Sequence, residues 1–154
     1  MAKYFSNEQQ YLGAVPPTPP GDEALGGRMR CYRATIPLDA PKLSPSQNGA
    51  GVTTADTVSL CKVPAGMRFI KGTLTSSVSL GTSTISIGNA ADAAKYRAAA
   101  VFTATDTPTD FGKAVAMANG ANNADEEVLL TVATANLPTT AGAKLIIDMI
   151  FAGP

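Results

Sequence analysis

The stretch Asp56-Thr57-Val58-Ser59-Leu60-Cys61-Lys62-Val63-Pro64-Ala65-Gly66-Met67-Arg68-Phe69-Ile70-Lys71-Gly72-Thr73-Leu74-Thr75 decides the fold class. Its first eight residues alternate polar with apolar, the two-residue period of a half-buried strand. Pro64-Ala65-Gly66 then supplies turn chemistry, and Met67–Thr75 resumes an extended pattern rich in β-branched and aromatic residues. Gly72 inside that second run marks a bulge or a close approach of another group.

The same grammar continues in both directions. Upstream, Met29–Ile36 alternates and stops at Pro37, giving a first strand. A loop from Pro37 to about Thr54 follows, rich in Pro, Ser, Asn and Gly and carrying the turn dipeptide Asn48-Gly49. Downstream, Ser83–Gly88, Val101–Thr105, Phe111–Met117, Glu127–Ala133 and Lys144–Phe151 read as further strands. Asp92–Ala100 is the one segment suited to a helix, with Asp92 as its N-cap. About eight strands at short, regular spacing predict an all-β chain, an antiparallel β-sandwich of two four-stranded sheets in a jelly-roll-like arrangement. The last strand is apolar on both faces: Leu145, Ile147, Met149 and Phe151 alternate with Ile146, Asp148 and Ile150. One face enters the core; the other needs cover from the arm, a loop or a partner.

Residues 1–27 have a different character and form an extended, Pro/Gly-rich N-terminal arm, leaving 28–154 as the sandwich domain. Pro16-Pro17, Pro19-Pro20, Gly21 and Gly26-Gly27 break regular structure and favour extended backbone. The arm nevertheless carries Tyr4, Phe5, Tyr11, Leu12 and Val15, apolar groups that a purely solvated tail has little use for.

Composition narrows the chemistry. The 154 residues hold 12 basic and 12 acidic side chains, so the chain lacks the positive field that nucleic acid or anionic membrane requires. No stretch reaches the roughly 18 apolar residues of a membrane span, and the N-terminus lacks a signal-peptide pattern, pointing to synthesis in the cytoplasm. With no histidine, Ser-His-Asp and Cys-His catalysis and ordinary histidine metal sites are excluded. Cys31 and Cys61 sit in strand-like runs and read as two free thiols rather than a bridge.

Other motifs carry little chemistry. The oxygen-rich segment Asn119–Glu127 misses the spacing of a calcium loop, and its carboxylates are adjacent in sequence, so it reads as a turn entering a strand. Asp106 and Asp110 flank a Thr-Pro-Thr turn and read as turn caps rather than an acid–base pair. Gly112-Lys113 lacks the preceding glycine spacing of a phosphate loop. Lys3, Arg28, Arg30 and Arg33 make a modest basic cluster near the arm, a solvated strand edge or a contact for an acidic surface. No catalytic residue, cofactor or metal is expected, and an enzyme is the weakest reading.

From Val58 onward the order of features resembles the small head decoration, or cement, proteins of tailed bacteriophages. The resemblance rests on Leu60-Cys61-Lys62-Val63-Pro64-Ala65-Gly66-Met67-Arg68-Phe69-Ile70 and on Ser83–Asp92 followed by Lys95-Tyr96. Glu126–Thr131 and the closing Lys144–Asp148 strand complete it. These are strand and turn positions, they span about two thirds of the chain, and the segment before Val58 is not matched. The resemblance implies a structural protein on the outer surface of the virion capsid that clamps neighbouring subunits of the major capsid protein. It also implies self-association, as a homotrimer in preference to a homodimer. The contact is expected on the arm (Tyr4, Phe5, Tyr11, Leu12, Val15) and on the sheet edge at Arg30 and Arg33. A glycan-binding adhesion module of the virion surface, or another β-rich tail or fibre component, is the alternative. The low aromatic content, 6%, counts against glycan binding.

Overall fold

The computed structural model describes residues 28–38, 51–54 and 56–153. The arm, with Tyr4, Phe5, Tyr11, Leu12 and Val15, and the Asn48-Gly49 turn lie outside the described residues. The described residues form eight strands: β1 (Arg28–Pro37), β2 (Thr57–Val63), β3 (Arg68–Ser76), β4 (Thr84–Gly88), β5 (Arg97–Val101), β6 (Thr109–Phe111), β7 (Glu126–Ala133) and β8 (Lys144–Gly153). One short helix, α1 (Ala114–Ala118), lies between β6 and β7.

They form two four-stranded sheets, in the orders β1-β8-β3-β6 and β2-β7-β4-β5. Every ladder is antiparallel. The pairing is nested: first strand with last, second with seventh, third with sixth, fourth with fifth. The chain is thus one long hairpin rolled over so that its two halves make facing sheets, which is the jelly roll. The sequence expectation of an eight-stranded antiparallel sandwich holds.

Alternation decides which side chains meet between the sheets. On β8, Leu145, Ile147, Met149 and Phe151 are buried, whereas Ile146, Asp148 and Ile150 face outward and are half-covered by neighbouring strands. Ile85, Ile87, Leu130 and Val132 supply the opposing layer, each no more than 0% exposed. An aromatic cluster closes one end: Phe69 lies 4.6 Å from Tyr96 and 5.4 Å from Phe151, ring centre to ring centre. Such tilted and edge-on pairs suit the ring quadrupoles.

Gly72 is the close approach anticipated from the sequence. It sits opposite Phe111 in the β3–β6 ladder, and a Cβ there would fall 2.2 Å from Phe111 Cζ. The irregularity of β3 is one step earlier, where the register with β8 shifts between Phe69 and Lys71. Gly66, in the turn anticipated at Pro64–Gly66, takes φ +85°, a left-handed conformation that glycine adopts without strain.

Three element assignments are corrected. Asp92 caps a turn, not a helix: its carboxylate accepts from Ala94 N–H at 2.9 Å and its carbonyl from Lys95 N–H at 3.1 Å. The alanines that suggested helix instead extend as β5 along the edge of β4, because a ladder there satisfies the β4 backbone. Only Val101 of the expected Val101–Thr105 strand is in a strand. The expected strand Phe111–Met117 turns out to be the end of β6 followed by α1, whose Ala116 is buried while Val115 and Met117 stay exposed.

Candidate interaction surface

The outer face of the β1-β8-β3-β6 sheet carries its polar groups in one transverse row. The register sets Arg33 beside Asp148, Asp148 beside Thr73, and Thr73 beside Asp110. Arg33 grips Asp148 in two parallel hydrogen bonds of 2.7 Å each, the fork geometry that suits guanidinium and carboxylate. Arg33 keeps its charge more firmly as a result, and the Asp148 carboxyl is held below its ordinary range by those bonds. Asp110 accepts from the Thr73 hydroxyl at 2.7 Å and from Lys71 Nζ at 3.0 Å, which lowers its pKa in the same way. This row is matched internally, positive against negative, across all four strands.

Above and below the row, the outward side chains of β8 are the apolar Ile146 and Ile150. Ile146 lies between Thr35 and Thr75, and Ile150 between Cys31 and Lys71. The second apolar face of the last strand is thus half-covered by its own sheet.

The β1 corner differs. Arg28, Met29, Arg30 and Cys31 are all exposed, Met29 to 74%. Their ladder partners on β8 are Gly153, Ala152, Phe151 and Ile150, none of them charged. Of the two arginines expected at an interface, the structure therefore separates Arg30, exposed and without an ion pair among the described residues, from Arg33, already bound to Asp148. Arg28 shares the situation of Arg30.

A second polar cluster was not foreseen in the sequence. Tyr96 is 1% exposed, and its hydroxyl donates to Glu126 Oε1 at 2.6 Å, while Lys95 Nζ pairs with Glu126 Oε2. Burial first, and the Glu126 carboxylate second, push the Tyr96 phenol pKa upward. Burial, aided by Glu126, pushes the Cys61 thiol up to about 11. Tyr96, Lys95 and Glu126 line a crevice of about 460 Å³ at the end of the sandwich, with Phe69, Ala116 and the 119–126 segment as walls. Its aromatic residues, Phe69 and Tyr96, are at most 3% exposed, so no flat ring is presented to a ligand. Lys95 and Glu126 are 31 residues apart, and only the fold brings them together.

The oxygen-rich segment Asn119–Glu127 spends its groups on packing. Asn122 carbonyl accepts from Gly66 N–H at 2.7 Å, Asn122 N–H donates to Met67 carbonyl at 2.8 Å, and Asp125 accepts from Ala65 N–H at 2.9 Å. Glu127 accepts from the Ser59 hydroxyl at 2.6 Å on the other side of β7 from Glu126. Among the described residues no group of three metal-ligating side chains converges. Asp106 adopts φ +50° in a turn, and Asp110 joins the transverse row instead. Cys31 and Cys61 are free thiols in different sheets. Among the described residues, no helix is long and apolar enough to cross a membrane.

No family model matches the sequence, and no curated protein matches it. Solved structures do share the fold. A chain of the cyanophage Pam1 capsid asymmetric unit superposes with a TM-score of 0.60 at 19% identity, over 89% of this chain and 92% of that one. A chain of the acid-stable capsid of the Helicobacter pylori bacteriophage KHP30 gives 0.55 at 13% identity, over 82% and 88%. A chain of the capsid of Ralstonia phage GP4 gives 0.57 at 15% identity, over 94% and 96%. The resemblance read from the sequence therefore recurs as a common fold with chains of phage capsid structures.

Proposed function

We propose that the chain is a structural protein of a phage particle: a decoration, or cement, protein on the outside of the head. In this reading it binds neighbouring major capsid protein subunits and holds them together, associates with itself as a homotrimer, and performs no reaction. The observation that carries the reading is the jelly roll shared, over 82–94% of this chain, with chains of three phage capsids. The surface adds support. The charges of its transverse row are matched in place, and the Tyr and Phe side chains among the described residues are turned inward or half-buried, which suits a packing part better than a sugar-binding one.

The arm extends the contact. Tyr4, Phe5, Tyr11, Leu12 and Val15 bury apolar area on the neighbouring subunits, worth about 25 cal/mol per Å² before ordering costs. Proline pairs lower the entropy lost on ordering, and repetition over a symmetric shell converts weak contacts into avidity.

The test is co-sedimentation of the purified chain with expanded heads of its phage that lack it. Saturable binding at a fixed ratio to the major capsid protein, with raised resistance of the heads to heat, is the expected result. Absence of binding refutes the head reading. Deletion of residues 1–24 should weaken binding; unchanged binding refutes the role of the arm.

A further inference from the structure

We infer that the outward edge of β1 takes an acidic, extended segment of the capsid partner as an added strand, with Arg28 and Arg30 as its charge anchors. The inference rests on the head-binding reading above and specifies what is recognised there.

The backbone comes first. Leu38 N–H donates to Ala143 carbonyl at 2.8 Å, continuing the β1–β8 ladder, whose register runs without a break to Arg28 opposite Gly153. In an antiparallel ladder the bonding direction alternates residue by residue. Arg28, Arg30, Tyr32, Ala34 and Ile36 therefore turn their N–H and C=O toward β8. Met29, Cys31, Arg33 and Thr35 turn theirs to the other side, where no strand lies among the described residues. Four residues whose aligned donors and acceptors meet no strand among the described residues are the template for strand addition.

Charge then selects the occupant. Arg28 and Arg30 have the same parity, so they leave the strand on one side, and neither has a carboxylate partner among the described residues. Met29 and Cys31 leave on the opposite side, both exposed. A second copy of β1 would set a basic strand against a basic strand, which cross-strand pairing disfavours. The complementary sequence has carboxylates at alternate positions, facing Arg28 and Arg30, with apolar residues between them facing Met29 and Cys31.

Two variants test it in the co-sedimentation assay with heads lacking the protein. Arg28→Glu combined with Arg30→Glu should weaken binding at least about tenfold, since two charge contacts are lost and repulsion replaces them. Lys144→Glu, at the far end of β8, serves as the charge control and should bind as the parent does. Cys31→Pro keeps the charges but removes a free N–H in the middle of the edge, and should weaken binding by a similar factor. Circular dichroism and melting temperature confirm that each variant is folded. Parent-like binding by the double arginine variant overturns the charge anchors, and parent-like binding by Cys31→Pro overturns strand addition. If the parent chain itself does not bind heads, the head-binding reading falls, and this inference with it.

Discussion

Gly72→Ala should destabilise this protein, although the same substitution in an ordinary strand position does the reverse. Gly72 lacks the left-handed backbone that would demand glycine, so alanine's lower unfolded-state entropy alone would stabilise by roughly 0.5–1 kcal/mol. The new methyl, however, would stand 2.2, 2.5 and 2.6 Å from three atoms of the Phe111 ring. Restoring contact near 3.4 Å requires the ring to retreat by roughly 1.2 Å. The ring packs near Phe69, 6.5 Å between centres, and belongs to β6, a strand of three residues whose only ladder partner among the described residues is β3. Overpacking of this kind costs about 1–3 kcal/mol, so after the entropic gain the net loss is about 1 kcal/mol. For a domain of this size that lowers Tm by roughly 3 °C. The assay is thermal or urea unfolding of Gly72→Ala, Phe111→Leu and the double variant. Because the two residues touch, they should couple by at least about 1 kcal/mol, with alanine at 72 far better tolerated beside leucine at 111. A raised Tm for Gly72→Ala, or additive effects in the double variant, would refute the ring-over-glycine packing.

Acid should weaken the fold in part through Asp148. Its folded pKa is depressed by the Arg33 bonds, so its contribution is present above the unfolded value of about 3.9 and is lost as pH falls through the folded one. Asp148→Asn should therefore cost up to about 1 kcal/mol at pH 7, with the gap from the parent closing as pH falls below the unfolded value; a gap independent of pH contradicts the pairing. Native protein at pH 8 should show one fast thiol toward a disulfide reagent, from exposed Cys31, and a second only on unfolding, because the half-buried Cys61 thiol titrates at about 11. Cys31→Ser should abolish the fast phase; its survival contradicts that assignment.

Alternation was the legible part of the sequence. Wherever a strand has one face in the core, as at β2, β3, β4, β7 and β8, the two-residue period marks it within a residue or two. The failures fall where that contrast vanishes. Residues 98–101 of β5 are exposed on both faces, so Ala98-Ala99-Ala100 carries no period and its helix propensity misleads. In Phe111–Met117 the small Ala116 is buried while the larger Val115 and Met117 are exposed, the reverse of what hydrophobicity suggests. At the candidate surface, Arg30 and Arg33 are visible in the sequence as one basic cluster. That one is matched and the other is not depends on Asp148, 115 residues further along from Arg33. The Lys95–Glu126–Tyr96 cluster escapes for the same reason: a charged residue in sequence does not announce a distant partner.

The nested pairing has a consequence for how the protein is made. The only ladder partner of β1 among the described residues is β8, so the second strand of that hydrogen-bonded pair leaves the ribosome more than a hundred residues after the first. The inner pairs between β4 and β5 and between β3 and β6 span shorter loops, so their closure costs less entropy and should come first. Closure thus proceeds from the middle of the chain outward, and a fold so dominated by distant contacts should mature in milliseconds to seconds, after synthesis has ended. Charge on a strand that is still unpaired opposes aggregation, so the three arginines of β1 should help keep it soluble until β8 is available.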